Sequence, residues 1–534
     1  MRRFSSYGPV DIDLHFYAPR TDLVEKVYRQ LIEENPEKGG HYITVWAPRQ
    51  TGKTWVMQEV IQRLKKTQAY ESAIISMEIA RDEKEEKTVV EILVEKMRIA
   101  FGIDFPAIEK IKDIPGLLTK RYFKAPVILV LDEFDCLDEA MINRFAGVFL
   151  DMFIQRTEER DKPSPKKTYL LHGLALIGVR SVLGIENKRG SPFNVQRSLP
   201  IPNLTHPEVE GMFKWYAQES GRVVEQTVID RVFDETRGQP GLTCWLGELL
   251  TEGYGGYTVD NTRPIDIKEF DKVYRAAVNL LPNNNILNII DKARAQPFRE
   301  TVFQLFKTDE LIRFRFDNQT INYLYTNGVI VPDIKEDRES YAKFSCPFVQ
   351  KRLFNYFSSE IFSDLGNLFD SFSSLEAVIT PDRLDIRELL KLYQIYLYRN
   401  KDWLFKNAPR RSDQRIYEAV FHFNLYAYLE RFLQSRNGSV YPEFPTGNGK
   451  IDLLIRYRDT TYGLELKSFS DRADFNHALT RAAQYGRQLG LKEIFLVTFL
   501  ETIEEAIRQE FTVDYLDPVT QVTVKPIILQ TGSL

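Results

Sequence analysis

The chain has 534 residues, of which 43% are hydrophobic and 27% are charged, and this length predicts about three or four globular domains. Its formal net charge of −4 excludes a global attraction to nucleic acid or to an acidic membrane, so any such contact must use a local patch.

The cysteine usage and the absence of long apolar runs predict a cytoplasmic protein with no membrane partner. Cys136, Cys244 and Cys346 are far apart and match no metal-binding spacing, which is typical of a reducing compartment. No apolar run approaches the roughly 20 residues that span a bilayer. The start, MRRFSSYGPV, lacks the apolar core of a signal peptide.

The stretch HYITVWAPRQTGKTWVMQEVIQRL, which begins at His41, predicts a strand, a turn and a helix. Its turn ends in Gly52, Lys53 and Thr54, as the phosphate-loop pattern requires, with Ala47 in place of the first glycine. Gly52 lets the backbone close around a phosphate, Lys53 would reach the β and γ phosphates, and Thr54 would ligate Mg²⁺. The alternative is an ordinary strand-turn-helix with an incidental lysine. The other predicted nucleotide-binding residues of this stretch are Gln50, Thr51 and Trp55.

A second motif, APVILVLDEFDCL, places the apolar residues Ile128–Leu131 before Asp132 and Glu133. An apolar strand that ends in carboxylates is typical of a central parallel strand that opens onto a site at its carboxyl edge. Asp132 would hold Mg²⁺ through water, and Glu133 would orient or deprotonate the attacking water. The two motifs together predict an ATPase that uses ATP and Mg²⁺.

These motifs, with FYAPRTDLVEKVYRQL, SPFNVQRSLPIPNLTHPEVEGMF and ETRGQPGLTCWL, resemble the AAA-like ATPases of the STAND class, which are nucleotide switches related to AAA+ proteins. The resemblance covers residues 10–350. It implies that the Gly-Gln-Pro element ending at Pro240 belongs to a helical lid over the nucleotide, and that Phe16–Arg20 lies near the base. It also implies that the first loop glycine is commonly replaced, as it is at Ala47. Arg180, at the end of the apolar strand LALIGVRS, is then either the sensor of the γ-phosphate or a surface arginine.

The middle of the chain has the pattern of a winged helix. QPFRETVFQLFKTDELIRF and NQTINYLYTNGVIVPD predict two helices, with Gly328 as a C-cap before a short hairpin. The second helix, near Gln319–Asn327, carries no Lys or Arg, which favours a structural or regulatory role over DNA reading. Amphipathic helices follow to residue 410. A basic run is either a solvated surface or a phosphate contact; its members are Lys406, Arg410, Arg411 and Arg415.

The stretch GKIDLLIRYRDTTYGLELKSF, Gly449–Phe469, predicts a hairpin with Asp452 in its first strand and Glu465 and Lys467 at the end of its second. Glu465 and Lys467 share one face because they are two residues apart, and the hairpin brings Asp452 alongside. Two carboxylates can hold Mg²⁺. The lysine can orient or activate water and offset charge on a phosphodiester transition state. Burying these groups without a partner or a metal would be costly.

This arrangement resembles the PD-(D/E)XK nuclease superfamily, in particular the nuclease-like domain that is often fused to AAA-like ATPases. The resemblance covers about residues 411–500 and implies a restriction-endonuclease-like fold that binds Mg²⁺ or Mn²⁺. The residues that carry it, in chain order, are Glu418, Asp452, Glu465, Lys467, Gln484 and Tyr485. It implies that Glu418, Asp452 and Glu465 hold the metal. The alternative is a structural ion-pair cluster in a degenerate nuclease fold.

The predicted fold class is therefore α/β. The predicted architecture comprises a P-loop AAA+/STAND ATPase core (1–200), a helical lid (201–280), a winged helix (281–356), a helical connector (357–410) and a nuclease-like domain (411–534).

The predicted function is an ATP-driven switch that controls a metal-dependent nuclease acting on nucleic acid, with DNA favoured. The resemblance implies a setting in defence against foreign DNA. One alternative is a nucleotide-gated module whose inactive nuclease fold binds nucleic acid or a protein. A DNA-pumping motor is disfavoured because no arginine finger or helicase element can be identified. A homo-oligomer and a regulatory protein partner both remain open.

Overall fold

The structure is a computed structural model that describes the chain with the exception of several short segments. These are residues 9, 34, 179–196, 256–259, 261, 307–310, 335–338, 371–374, 381, 411–415, 435, 437, 446–449, 468–471 and 533–534, and the side chains of 197, 418, 443–445 and 450. The chain divides into two compact units: Met1–Lys292 with Arg313–Cys346, and Ala293–Ile312 with Pro347–Leu534. The five-domain division is finer than this and stays a prediction.

The described helices and strands are numbered in chain order. The helices are α1 (Thr21–Ile32), α2 (Lys53–Thr67), α3 (Glu86–Phe101), α4 (Glu139–Glu158), α5 (His206–Ser220), α6 (Gln226–Thr236), α7 (Pro240–Glu252), α8 (Ile267–Asn279), α9 (Asn284–Arg294), α10 (Phe298–Leu305), α11 (Gln319–Thr326), α12 (Pro347–Ile361), α13 (Ile386–Leu404), α14 (Glu418–Gln434), α15 (Arg472–Gln488) and α16 (Glu505–Phe511). The strands are β1 (Tyr42–Trp46), β2 (Glu71–Ser76), β3 (Val127–Asp132), β4 (Leu171–Gly178), β5 (Arg197–Pro200), β6 (Ile330–Ile334), β7 (Ser340–Phe344), β8 (Gly438–Pro445), β9 (Lys450–Tyr457), β10 (Thr460–Lys467), β11 (Glu493–Leu500), β12 (Tyr515–Leu516) and β13 (Thr523–Gln530).

The first unit is built on a five-stranded parallel sheet in the order β2-β3-β4-β1-β5. Strands β1, β3 and β4 are buried along their whole length, because core clusters cover both faces of the sheet. Ile128 and Val130 of β3 pack with α1 and α2, whereas Leu129 and Leu131 pack with α3 and α4. The α/β prediction is confirmed. Because the strands are parallel, β1 and β3 end at the same edge, where both predicted ATPase motifs follow.

The elements predicted as a winged helix occur in the predicted order but are divided between the two units. Helix α11 and the β6–β7 hairpin belong to the first unit, while α10 belongs to the second. Gly328 has φ 77° and its N–H donates to the Tyr325 carbonyl, so the predicted cap of α11 is observed. The winged helix as a domain stays a prediction.

The second unit is built on a six-stranded mixed sheet in the order β12-β13-β11-β10-β9-β8. Strands β8, β9 and β10 form an antiparallel meander, and β10, β11 and β13 run parallel. The predicted helix, hairpin, helix and strand correspond to α14, β9–β10, α15 and β11. Strands β8, β12 and β13 and helix α16 were not predicted. In the described part of the chain, no helix is both long and apolar enough to cross a membrane.

Candidate active sites

The phosphate loop, Ala47–Thr54, is held closed by its own side chains. The Lys53 Nζ donates to the carbonyl oxygens of Ala47 at 2.8 Å and Pro48 at 2.9 Å. The Thr51 hydroxyl donates to the same Pro48 oxygen at 2.8 Å. Gly52 has φ 84° and precedes the first residue of α2, a conformation that glycine adopts without a Cβ clash. The ammonium is therefore fixed at the start of the loop.

The electrostatic environment of Lys53 favours a bound anion. Burial lowers the pKa of the Lys53 ammonium to about 8, although the nearby carboxylates of Asp135 and Asp132 act in the opposite direction. A further anion beside the ammonium would favour its charged form. Asp135 was not predicted as a site residue, because its only sequence signal is its position as the third acidic residue in LDEFD.

The predicted magnesium ligands and the predicted base lie together at the end of β3. The Thr54 hydroxyl donates to Asp132 Oδ2 at 2.7 Å, and the Glu133 N–H donates to Asp132 Oδ1 at 2.9 Å. Ser76, which pairs with Asp132 in the sheet, donates its hydroxyl to Glu133 Oε2 at 3.1 Å. Burial and the Glu78 carboxylate raise the pKa of Glu133. Ser76 also had no recognisable sequence signal.

The first turn of α7 contacts the phosphate loop directly. The side-chain amide of Gln239 donates to the carbonyls of Arg49 at 3.1 Å and Gln50 at 3.2 Å. The Gly241 N–H donates to the Gln50 carbonyl at 3.0 Å. Gln50 has φ 56°, which is uncommon for a residue with a Cβ. The predicted lid element at Pro240 is therefore joined to the loop through its two neighbours.

Gly241→Ala is expected to loosen this junction, because an alanine Cβ would lie 2.5 Å from Gln50 Oε1 and 2.7 Å from Gln50 Cβ. Overpacking of this kind costs about 1–3 kcal/mol. We expect a lower unfolding free energy in urea and weaker ATP binding. Gly211→Ala in α5 is the matched control, since beyond the adjacent residues and the backbone of its own helix no described atom lies within 4 Å of its Cβ position. There we expect a gain of up to about 1 kcal/mol. Equal stability of the two variants would contradict the packing argument.

Two aromatic contacts connect the loop region to other parts of the first unit. The ring centroids of Trp55 and Tyr17 lie 4.9 Å apart, and those of Tyr17 and Trp215 of α5 lie 5.5 Å apart. The predicted segment Phe16–Arg20 thus reaches α2, and Trp55 is buried in the core. The predicted proximity of the segment Phe16–Arg20 to a nucleotide base stays a prediction.

Helix α11 packs against the strand that leads into the loop. The Trp46 ring lies 5.6 Å from Tyr325, and a Cβ placed at Gly328 would lie 3.0 Å from the Cβ of Pro48. This helix, which carries no Lys or Arg, therefore contacts the parallel-sheet core of its own unit.

Several predicted residues lie wholly or partly outside the described residues. Arg180 falls in the segment 179–196, and Arg411 and Arg415 fall in 411–415. Glu418 begins α14, but its side chain is not described. Their predicted roles stay predictions.

In the second unit, Asp452, Glu465 and Lys467 lie together on one face of the sheet, each at most 2% exposed. The β9–β10 register pairs Leu453 with Leu464, which places Asp452 opposite Glu465. Asp452 Oδ2 accepts the Leu466 N–H at 2.7 Å, and the Lys467 Nζ lies 3.2 Å from Glu465 Oε1. The structure thus brings the three residues together.

Helix α15 contributes Arg481 and Tyr485 to this cluster. Arg481 Nη2 lies 3.7 Å from Glu465 Oε1. Burial and Asp452 raise the pKa of Glu465 to about 7, against the effects of Lys467 and Arg481. Burial and the Glu465 carboxylate raise the pKa of Tyr485. Gln484, in contrast, is exposed, so its predicted place in the nuclease core is not observed. Adjacent helical residues point in different directions, and here Tyr485 is the one near the sheet.

The donor atoms of this cluster fit a divalent cation. Asp452 Oδ1 and Glu465 Oε2 are buried and have no hydrogen-bond partner among the described residues. The same is true of the Thr498 hydroxyl, which the β10–β11 register places beside Lys467. Buried oxygen atoms left without a donor are the hard ligands that Mg²⁺ and Mn²⁺ prefer. Within the described residues, however, no group of three or more His, Cys, Asp or Glu side chains is placed to hold a metal.

No protein-family model and no curated protein matches the chain. Solved structures with a partial likeness include a Walker-type ATPase of Pyrococcus abyssi, at 14% identity over 66% of this chain and 99% of that chain, with a TM-score of 0.42. The ORC1 protein of Aeropyrum pernix in complex with DNA matches at 16% identity over 64% and 92%, with a TM-score of 0.34. The Thermotoga maritima RuvB Holliday junction branch migration motor matches at 13% identity over 62% and 94%, with a TM-score of 0.34. The sequence identities and TM-scores of these matches are too low to assign a role to any residue of the candidate sites.

Proposed function

We propose that the first unit binds and hydrolyses ATP, and that its nucleotide state controls a metal-dependent nuclease in the second unit. The observation that carries the proposal is the hydrogen bond between Thr54 and Asp132 at 2.7 Å, beside the buried ammonium of Lys53. A lysine, a hydroxyl and a carboxylate at the mouth of a parallel sheet are the groups that bind a magnesium nucleotide.

In this proposal the first unit positions the triphosphate with its own backbone and charges. The loop amides and the N-terminus of α2 bind phosphate oxygens, and Lys53 exchanges its two carbonyl acceptors for the β and γ phosphates. Thr54 and Asp132 would hold Mg²⁺, which supplies charge neutralisation to the phosphates. Glu133 orients the attacking water and accepts its proton, and its raised pKa suits that exchange.

Glu133→Gln is expected to bind ATP with an affinity close to that of the wild type but to hydrolyse it about 10²–10⁴-fold more slowly, because the phosphates keep their contacts while the water loses its base. Single-turnover hydrolysis and a separate binding titration measure the two effects. Exposed Glu139→Gln, at the start of α4, serves as the control. Turnover unchanged in Glu133→Gln would exclude the role given to this residue.

Two contacts on the phosphate loop support a switch. Gln239 joins α7 to the loop. In the segment Arg313–Cys346, Gly328 lies close to Pro48 of the loop, and Tyr325 lies against Trp46 at the end of β1. That segment is continuous at both ends with chain that belongs to the second unit. For ATP to act as a switch, it must bind one arrangement of these contacts more tightly than another.

In the second unit, Asp452 and Glu465 would hold Mg²⁺ or Mn²⁺, with Glu418 as a further ligand. The metal would supply Lewis-acid stabilisation to a nucleic acid phosphodiester, DNA in the first instance. Lys467 orients the attacking water and offsets charge that develops on the phosphate. The buried oxygens without described partners at Asp452 and Glu465 support this assignment.

A second candidate function is a nucleotide-gated binding module with an inactive nuclease fold. The near-complete burial of the cluster and the Lys467–Glu465 ion pair favour it, because such networks also occur as purely structural features.

The experiment that separates these candidates uses the full-length protein with supercoiled plasmid, linear DNA and RNA. Each is incubated with Mg²⁺ or Mn²⁺, with ATP, with ADP and without nucleotide, and phosphate release is followed in the same samples. Cleavage that depends on both metal and nucleotide supports the proposal. Binding without cleavage of any substrate favours the second candidate, and the absence of ATP binding overturns both.

A further inference from the structure

Arg481 is a charged residue at the second-unit cluster to which the proposed chemistry gives no role. Its Nη2 lies 3.7 Å from Glu465 Oε1, and the Lys467 Nζ lies 3.2 Å from the same oxygen. The other oxygen, Glu465 Oε2, is buried without a hydrogen-bond partner in the described part of the chain. One carboxylate oxygen thus faces two cations, of which Lys467 already provides the shorter contact.

The two cations differ in their access to solvent. The Lys467 side chain is 1% exposed, whereas the Arg481 side chain is 34% exposed. The backbone that carries Arg481 is fixed, because Ala478 and Ala482 pack in one core cluster with Leu454 and Leu496 of the sheet. A ligand that arrives from solvent therefore meets the guanidinium before it meets the buried ammonium.

The charge balance and geometry of the cluster favour a phosphate as that ligand. Among the described side chains of the cluster, the carboxylates of Asp452 and Glu465 face the cations of Lys467 and Arg481. A divalent cation bound to the carboxylates would leave an excess of positive charge, which remains even when the Glu418 carboxylate is counted. A phosphodiester supplies the compensating negative charge. A guanidinium offers a planar fork of donors that matches two phosphate oxygens, which an ammonium cannot do.

We propose that Arg481 is the phosphate-binding residue of the second-unit site, and that its guanidinium exchanges Glu465 for a non-bridging oxygen of a nucleic acid phosphodiester. The exchange leaves the Glu465 carboxylate to Lys467 and the metal. This assignment rests on the proposed nuclease function and adds to it the residue that contacts the substrate.

The test compares Arg481→Ala, Arg481→Lys and the wild type as full-length proteins. Binding of a fluorescent DNA duplex and of an RNA of equal length is followed by anisotropy over a series of salt concentrations. Arg481→Ala is expected to weaken binding at least tenfold at low salt and to reduce the magnitude of the salt slope by about one, because one phosphate contact is lost. Arg481→Lys is expected to restore the slope but only part of the affinity. Mn²⁺ affinity measured by calorimetry is expected to stay within twofold of the wild type in both variants.

Arg487→Ala is the matched control, because Arg487 lies on the same helix and is exposed; its affinity and salt slope are expected to be those of the wild type. If the wild type cleaves nucleic acid and Arg481→Ala retains both affinity and slope, the assignment is overturned while the nuclease proposal stands. If Arg481→Ala loses Mn²⁺ affinity together with DNA, Arg481 supports the carboxylates rather than the substrate, and the assignment is again overturned. If the wild type neither binds nor cleaves any nucleic acid, the nuclease proposal fails and the assignment fails with it. Arg481→Lys keeps these outcomes separable should the alanine variant unfold.

Discussion

Lys53→Ala is expected to abolish ATP binding at ordinary nucleotide concentrations. Lys53 supplies the ammonium that the phosphate loop places against the Ala47 and Pro48 carbonyls. Burial already lowers the pKa of this ammonium. Without it, the Ala47 and Pro48 carbonyls would face the bound phosphates with no ammonium between them, and Mg²⁺ alone would have to offset the phosphate charge at the start of the loop. Truncation of one partner of a buried charged pair costs about 2–5 kcal/mol, so we expect an increase in Kd of about 30-fold or more.

The measurement is calorimetric titration with ATP in the presence of Mg²⁺, with Lys65→Ala as the control. Lys65 lies on the same helix and is exposed, so its removal changes the net charge equally without touching the loop. Thermal unfolding of both variants checks that the fold is intact. ATP affinity in Lys53→Ala within threefold of the wild type would exclude the loop as the nucleotide site.

The nucleotide site was predictable from sequence to the extent that its residues are neighbours in the chain. The largely apolar run before Ala47 and the continuous apolar run before Asp132 have the composition of strands buried on both faces, and these strands are parallel in the structure. The hydrogen bond from the Gln239 side chain to the Gln50 carbonyl could not be predicted from residues that are neighbours in the chain. The two residues are 189 positions apart, and only the packing of α7 brings them together.

The second unit shows why strand prediction failed near prolines. Strand β8 contains Pro442 and Pro445, and β13 contains Pro526. Proline cannot donate a hydrogen bond to a neighbouring strand, so its presence in a sequence argues against a strand. Strand β8 is tolerated because it lies at the edge of the sheet. Pro526 is tolerated in β13 on the side that faces β12, because β12 pairs only with Thr523 and Val524 and does not extend as far as Pro526.

The role of Arg481 was hidden by the ordinary pattern of an amphipathic helix. A charged residue between buried alanines is usually a solvated one, and nothing in HALTRAAQYG indicates otherwise. Its contact with Glu465 arises because α15 crosses the sheet face that also carries the acidic residues. The four-residue spacing between Arg481 and Tyr485, which puts both on one side of the helix, was the available signal.

Asp452→Asn is expected to abolish metal-dependent cleavage while leaving the fold intact. In the wild type the Leu466 N–H donates to Asp452 Oδ2 at 2.7 Å. The amide oxygen of an asparagine can accept the same hydrogen bond, so the sheet loses none. The site, however, keeps only one of its two described carboxylates. Mg²⁺ gives up its waters reluctantly and depends on carboxylate ligands, so we expect metal affinity to fall at least tenfold and plasmid nicking to fall below detection.

Mn²⁺ titration by calorimetry and nicking of supercoiled plasmid measure the two effects, and Asp459→Asn provides the matched control. Asp459 lies in the exposed turn between β9 and β10, so this change removes the same charge from the same hairpin. Lys467→Gln completes the set: it should keep the metal but lose most turnover, because the ammonium acts on the transition state more than on the bound ground state. ATP hydrolysis is expected to survive all three changes, since the phosphate loop belongs to the first unit. Metal affinity unchanged in Asp452→Asn would remove this cluster as the metal site. Metal affinity that depends on Asp452, in a protein that cleaves nothing in either nucleotide state, would instead identify the second unit as a binding module on a nuclease-like fold.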